Sequence, residues 1–336
     1  MCKKFDWKMR LFLLGMLVAV NLMIISNSVF ASPQVREYWV AAENVMWNFA
    51  PSGKNLIKPS EGLGPWGVTL EYPKYRYIQY TDGSYTTKVP QPEWMGILGP
   101  QLRAVEKDTL LVHFLNKADK PLTMHPHGVR YDNANDGADY EFTHEPGAKV
   151  MPGQSFTYTW LADNDSAPGK NDPSSIVWVY HSHVDSVTEI YDGLIGTIVI
   201  TKEGKERSQI DPRPKDVDIE FTTLYMVFNE EDGEEGGLKH AMNGYIFGNL
   251  PMYTVNTKDK VRWYLIGMGT EVDMHTAHWH GQTVIYNGNR TDVVELLPTS
   301  MKTVDMTAMN PGTWLYHCHV TDHITAGMMA RWTVLP

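Results

Sequence analysis

Cysteine is almost absent from this 336-residue chain, which has two, Cys2 and Cys318. That scarcity excludes a disulfide-stapled scaffold, and it leaves too few thiolates for a cysteine-built structural zinc site. Positive charge is also in short supply, with 29 Lys and Arg against 39 Asp and Glu and a net charge of −10. The chain therefore lacks the basic footprint of a nucleic-acid binder; its acidic surface attracts cations and aids solubility. Long hydrophobic runs are missing too. The longest, Leu11 to Ile25, has about 15 residues where a membrane-spanning helix needs about 20. Helix-period patterns are scarce after residue 35, which argues against a helical bundle.

The short apolar run has a different use. Lys3, Lys4, Lys8 and Arg10 precede it, and Val29-Phe-Ala31 offers suitable residues at −3 and −1 of a cut after Ala31. An export signal over residues 1–31 is expected, with an uncleaved anchor as the alternative. Its removal takes away Cys2, four bases and one acid, so the net charge moves from −10 to −13. The remaining chain has one cysteine and no possible internal disulfide, despite an exported location that is periplasmic, cell-surface or secreted. Cys318 then reads as a ligand.

What fills the rest is β-structure. Thr109-Leu-Leu-Val-His-Phe114, Ser155-Phe-Thr-Tyr-Thr-Trp160, Ile176-Val-Trp-Val-Tyr180 and Val261-Arg-Trp-Tyr-Leu-Ile266 read as strands. Such short runs between Gly, Pro, Asn and Asp clusters predict an all-β chain of sandwiches or barrels, and the length suits two domains. Charged, proline-containing residues 204–216 read as a linker between a domain over 32–203 and another over 217–336.

Histidine carries the chemistry. Four His-x-His pairs stand at His125/His127, His181/His183, His278/His280 and His317/His319, and they take eight of thirteen histidines. Residues i and i+2 of a strand face the same way, so each pair offers two imidazoles to one site. Cys318, between His317 and His319, faces the opposite way. One strand thus serves two metal sites. His275 lies three residues before His278, while His323 and Met328 follow Cys318 by five and ten. Two His, one Cys and a Met are the ligand set of a blue copper centre. The surplus imidazoles then require a multinuclear site. Zinc is the rival metal, but ten histidines with a single cysteine fit no closed tetrahedral zinc pattern.

The stretches His317-Cys-His-Val-Thr-Asp-His323-Ile-Thr-Ala-Gly-Met328 and His275-Thr-Ala-His-Trp-His-Gly281 closely resemble the last domain of ceruloplasmin-like multicopper oxidases. Gly96-Ile-Leu-Gly-Pro-Gln-Leu102, Tyr180-His-Ser-His183 and Gly193-Leu-Ile-Gly196 resemble the first domain of that family. Ceruloplasmin has six cupredoxin domains and this chain has room for two, so it looks like a two-domain multicopper oxidase, the group that includes bacterial small laccases. The resemblance implies two cupredoxin-type Greek-key domains and four coppers per chain. It implies type 1 copper on His275, Cys318, His323 and Met328. Type 2 copper falls to His125 and His278, and the type 3 pair to His127, His181, His183, His280, His317 and His319. Ser182 and Val187 stand where the first domain would need cysteine and histidine, so type 1 copper is expected only in the second domain. That asymmetry separates the chain from copper nitrite reductases, which carry type 1 copper in their first domain; a nitrite reductase-like enzyme and a non-catalytic copper-binding protein remain the weaker alternatives.

The implied reaction passes four electrons from a donor to dioxygen, giving water. Asp322, Glu235 and His240 match three residues that bind ferrous iron in ceruloplasmin, which favours ferrous iron or another reduced metal as donor. A laccase oxidising a small phenolic or aromatic amine is the main alternative, because the run Glu230-Glu-Asp-Gly-Glu-Glu-Gly-Gly237 also fits a merely solvated acidic loop. The match of the fourth iron ligand is not located. Tyr131, four residues after His127, matches a tyrosine near type 2 copper in small laccases, although a packing role is equally open. Asp132 and Asp136 are candidate proton carriers, with a turn at Asp136-Gly137 the plainer use. No calcium site is expected, since Gly147-Ala148 replaces the acidic pair of ceruloplasmin's first domain. Finally, four imidazoles on each domain must meet. A closed homotrimer, with clusters between subunits, achieves this; closure within one chain is the alternative.

Overall fold

The computed structural model describes residues 32–336, apart from 141, 143, 232, 271 and 272. The export signal expected over 1–31 lies outside the described residues. Among those described, no helix is long and apolar enough to cross a membrane.

Eight strands come from the first half: β1 (Val35–Asn48), β2 (Glu71–Tyr80), β3 (Gln101–Val105), β4 (Thr109–Asn116), β5 (His125–Pro126), β6 (Ser155–Leu161), β7 (Ser175–His181) and β8 (Ile195–Thr201). The second half supplies β9 (Ile219–Asn229), β10 (Leu238–Met242), β11 (Tyr253–Asn256), β12 (Lys260–Gly267), β13 (His275–Trp279), β14 (Val284–Tyr286), β15 (Asn289–Thr291), β16 (Val293–Leu296), β17 (Ser300–Thr307), β18 (Gly312–Cys318) and β19 (Met329–Leu335). All four runs read from the sequence are strands, each extended by one or two residues. Two short helices, α1 (Ser186–Tyr191) and α2 (Thr321–Thr325), each follow a His-x-His pair.

The halves repeat one topology. Sheets β2-β1-β4-β6 and β3-β8-β7-β5 in the first correspond to β10-β9-β12-β17 and β11-β19-β18-β13 in the second, which adds β14, β15 and β16 at sheet edges. In both, the first and fourth strands pair parallel, as do the third and last. Non-sequential parallel neighbours within antiparallel sheets give the Greek-key barrel of the cupredoxins.

Alternation explains the cores. In β4, Leu110, Val112, Phe114 and Asn116 are buried while intervening residues are half exposed. β9 breaks that pattern and is buried from Phe221 to Phe228. Its odd residues Phe221, Tyr225 and Val227 enter the second half's own core, where Trp263, Trp279 and Trp332 are also wholly buried. Its even residues Leu224, Met226 and Phe228 pack against Phe49, Ile97, Val179 and Ile195 of the first half. A strand covered on both faces reads as a continuous apolar run. Each such buried side chain contributes roughly 1.5–3 kcal/mol, so residues 32–336 cluster as one compact unit. The expected linker over 204–216 is an ordered hairpin, in which Arg207 N donates to Arg213 O at 2.7 Å and Lys215 N to Lys205 O at 2.9 Å.

Polar groups also cross this seam. The wholly buried Arg262 side chain makes a two-pronged contact with Asp305 at 2.7 and 2.8 Å and donates to Ser174 Oγ and Ser175 Oγ, both at 2.7 Å. Removing one partner of a fully buried ion pair costs about 3–5 kcal/mol. The Asp305 side chain is 39% exposed, so Arg262→Met is expected to lower stability by less, about 2–3 kcal/mol. Urea unfolding checks this against Arg290→Met, an exposed site whose change is expected to stay within about 0.5 kcal/mol.

Candidate metal centres

Register in the second half sorts the ligands. In the antiparallel pair β13–β18, Ala277 stands opposite Cys318 and His278 opposite His317. Side chains alternate, so His275 and Cys318 face inward while His278 and His317 face outward. The inner group is a triangle. His275 Nδ1 and His323 Nδ1 lie 3.1 Å apart, and Cys318 Sγ lies 3.9 and 3.5 Å from them. A point about 2 Å from all three atoms exists inside that triangle, close to the bond lengths a first-row metal makes to nitrogen and sulfur. All three residues are buried, and Met328, wholly buried, shares a core cluster with Cys318. Trigonal His2Cys with a weak thioether suits copper better than zinc.

Local structure holds this triangle in place. Cys318 N donates to Met328 O at 3.1 Å, and Met328 N to His323 O at 2.8 Å, which closes the loop around α2. Thr276 N points at Cys318 Sγ from 3.4 Å, a contact that favours the thiolate. Burial alone pushes the Cys318 thiol up, so a bound cation must supply the rest of its ionisation. Asp273, fully buried, accepts from Val227 N at 2.7 Å, Thr270 N at 2.9 Å and His275 Nε2 at 3.3 Å. That last bond leaves His275 Nδ1 as the inward atom. Sequence reasoning missed Asp273; its only signal was a carboxylate two residues before the first ligand.

The outward imidazoles form two quartets with matching details. In the first half His125 pairs with His181 across β5–β7, as His278 pairs with His317. His127 Nε2 lies 3.0 Å from His181 Nε2, and His280 Nε2 lies 3.1 Å from His317 Nε2. The fourth member of each packs edge-on, His183 against His125 at 4.9 Å and His319 against His278 at 5.3 Å. Each pair straddles a strand end, with one histidine on the ladder and the second just beyond it. Nδ1 of His125, His181, His278 and His317 meets the carbonyls of Asp136, Ser182, Asp292 and Cys318 at 2.7, 2.8, 2.8 and 2.6 Å. Carbonyl acceptors fix the tautomer and leave Nε2 for a metal.

The glycine after each quartet's second residue is equally placed. Gly128 and Gly281 have φ of +73°, and a Cβ on them would stand 2.0 Å from the Trp178 ring and 3.0 Å from that of Trp314. These turns require glycine. Desolvation, then the charges of neighbouring imidazoles, pushes His127 and His317 down to about 4 and His181 and His323 to about 3. Neutral imidazoles at physiological pH are the form that binds metal. Among the described residues no metal-binding group mixes the two quartets.

Among the described residues the first half has no counterpart of the triangle. Ser182 Oγ stands in Cys318's place and accepts from Thr123 N at 3.0 Å, Leu122 is wholly buried three residues before His125, and Val187 is exposed on α1. Tyr131 packs its ring 5.9 Å from His125, with burial and then the Asp136 charge pushing its phenol up to about 12. Asp136 sits both in its turn and against His125, whose Nδ1 lies 3.0 Å from its carboxylate. Asp132 accepts from Asn135 Nδ2 at 2.6 Å and belongs to a turn. Of the residues expected at the donor site, His240 on β10 packs its ring 5.0 Å from His323 and feels the charge of Asp322. Asp322 is exposed on α2, and Glu235 is exposed on the turn before β10.

Residues 79–205 and 222–336 match two family models, each described as "Multicopper oxidase". The chain belongs to the multicopper oxidases. It is 36% identical to rat hephaestin, 35% to the human protein named ferroxidase HEPHL1 and 32% to human ceruloplasmin, each over 89% of its own length. It spans about a third of these relatives, 29, 29 and 31% respectively. Solved multicopper oxidases share the fold. The blue copper oxidase from Nitrosomonas europaea (22% identity, 89% of this chain and 86% of that one) superposes with a TM-score of 0.61. The multicopper oxidase mgLAC (20%, the same coverage) gives 0.64. This oxidase's fold, like theirs, is the cupredoxin Greek key.

The triangle makes a spectroscopic prediction. Cupric ion added to the purified oxidase is expected to give an intense visible thiolate-to-copper band. Cys318→Ser is expected to abolish the band and to lower total copper by about one ion per chain, while copper on the outward imidazoles is largely retained. A band that survives, counted against copper by mass spectrometry, removes Cys318 from the ligand set.

Proposed function

We propose that this chain is a two-domain multicopper oxidase, with domains over 32–203 and 217–336, that oxidises ferrous iron or another reduced metal and reduces dioxygen to water. One observation carries the enzyme class: a single strand, β18, presents Cys318 to a buried His2Cys triangle and His317 to an imidazole quartet. The residues fit copper. His275, Cys318, His323 and Met328 would hold one ion, His125 and His278 a second, and His127, His181, His183, His280, His317 and His319 a pair. That makes four per chain. When bound, copper supplies one-electron exchange with the donor and, as a trinuclear group, the four-electron reduction of dioxygen. Two peptide bonds join Cys318 to His317 and His319, a covalent route of minimal length between the sites. The wholly buried Tyr225, whose ring lies 5.8 Å from that of His275, and the wholly buried Met328 would help keep water from the triangle. The export signal would place this chemistry outside the cytoplasm, in a periplasm, at a surface or in secretion.

For the donor, support comes from His240 packed on His323, with the Asp322 carboxylate beside it and the acidic turn of Glu235 five residues upstream. Carboxylates with one imidazole suit a hard ferrous ion and hold the ferric product more strongly. A relative named a ferroxidase supports the same reading. Glu235→Ala with Asp322→Ala is expected to raise the KM for ferrous iron about tenfold while leaving that for a bulky phenol within about twofold. Steady-state oxygen consumption measures both. Equal effects on the two donors favour a laccase instead.

Assembly completes the proposal. Neither quartet alone supplies the eight imidazoles of a trinuclear cluster, and among the described residues no metal-binding group mixes the two. Three copies joined head to tail set the first quartet of one subunit against the second quartet of the next, and rotation closes the ring. Mixing a His181→Ala, His183→Ala chain with a His317→Ala, His319→Ala chain is expected to restore part of the activity, because some interfaces then pair two intact quartets. A mixture that stays inactive after verified subunit exchange, or an active species that sediments as a monomer, rejects the trimer.

A further inference from the structure

The loop between β9 and β10 carries Glu235 but is built on the other half of the chain. β10 alternates, so His240 faces His323 while Lys239 faces the seam. Lys239 is wholly buried. Its Nζ donates to Gly236 O at 2.5 Å and to Trp66 O at 2.9 Å, and lies 5.4 Å over the Tyr72 ring. The ammonium thus holds one carbonyl of the acidic loop and one of the first half together. Neighbouring contacts repeat the arrangement. Tyr72 Oη donates to Glu231 at 2.6 Å, and buried Glu230 pairs with buried Lys74, which also donates to Tyr191 O at 2.9 Å. The Glu235–Gly237 turn rests directly on the segment Gly64–Gly67, because a Cβ on Gly236 would stand 2.9 Å from the Pro65 carbonyl oxygen.

A core role alone does not account for Lys239. Burying an ammonium costs several kcal/mol of hydration, and a methionine would fill the same volume without that loss. Methionine cannot bind two carbonyls from two halves of the chain. The lysine therefore contributes geometry: it sets where the turn stops and, through the adjacent residue, how His240 meets His323.

We propose that Lys239 is a positioning residue for the metal donor, which fixes Glu235 and His240 by clamping the acidic loop to the first half at Trp66. The inference rests on the donor site proposed above. Lys239 touches neither donor nor copper ligand; it acts through the loop. The Gly236 seat on Pro65 is the second half of the same clamp.

The test uses the copper-loaded full chain with ferrous iron and with a bulky phenol as donors, comparing Lys239→Met, Gly236→Ala and Glu235→Ala. Both clamp variants are expected to raise the ferrous KM about tenfold, with the kcat at saturating iron, the phenol kinetics and the visible thiolate band unchanged within about twofold. Combining either with Glu235→Ala is expected to add little beyond Glu235→Ala alone, because both routes remove the same placed carboxylate. If Lys239→Met does not fold, Gly236→Ala carries the comparison, since it adds one methyl at the turn. A ferrous KM raised by Glu235→Ala but not by Gly236→Ala or Lys239→Met overturns the positioning role and leaves the donor site standing. Losses equal for both donors, or fully additive with Glu235→Ala, overturn it as well. A Glu235→Ala variant with an unchanged ferrous KM removes the donor site itself, and the clamp with it.

Discussion

The two-residue period at the end of β18 is the constraint on which both kinds of site depend. Cys318 turns inward because Ala277 stands opposite it and because its own N–H is tied to Met328 O. A register slip of one residue would turn the thiol out and bring an imidazole into the apolar core. The packing prevents that. Tyr316, on Cys318's face, is stacked on Trp279 at 5.0 Å and lies 4.9 Å from the Trp263 ring, so the whole face is committed to the core. The same commitment sends His317 outward to meet His278 and His280.

Repetition of one topology in two halves then explains why the quartets match and the triangles do not. The outward positions keep their imidazoles, their carbonyl partners and their glycine turns in both halves. Inward, the first half replaces cysteine by Ser182, whose hydroxyl accepts from Thr123 N, and replaces the two partner histidines by Leu122 and Val187. Hydrogen-bonded serine and buried leucine give a satisfied polar group and an apolar contact where the second half gathers three donors. The barrel tolerates either filling because the outward ladder does not depend on it.

The seam supplies what one cupredoxin unit lacks. β9 is buried on both faces, so the acidic loop that follows it emerges next to the first half and is held by Lys74, Tyr72 and the carbonyl of Trp66. His240 approaches His323 from β10, which follows that loop. The proposed donor side is consequently built across the seam, while the triangle belongs to the second half.

By itself, the sequence determined which side chains could be offered to a metal and on which face of a strand. His-x-His spacing, with Cys318 between two imidazoles, follows from strand period alone, and four apolar alternating runs were legible as strands for the same reason. The resemblance added the division of histidines among sites. Other features were invisible because they depend on residues distant in the chain. Asp273 beneath His275, Asp292 behind the second quartet and Lys239 across the seam look in the sequence like ordinary surface charges, and Asp136 was legible there as a turn residue or proton carrier but not as the partner of His125. Nor did composition show that β9 has two cores to serve, since a continuous apolar run fits a buried helix segment as well. Glu235, His240 and Asp322 were proposed by motif, but only the folded chain put His240 on His323 and left Asp322 and Glu235 exposed. Local pattern fixes which way a side chain points; tertiary packing decides what it meets, because the partner's position is set by burial of surfaces far apart in sequence.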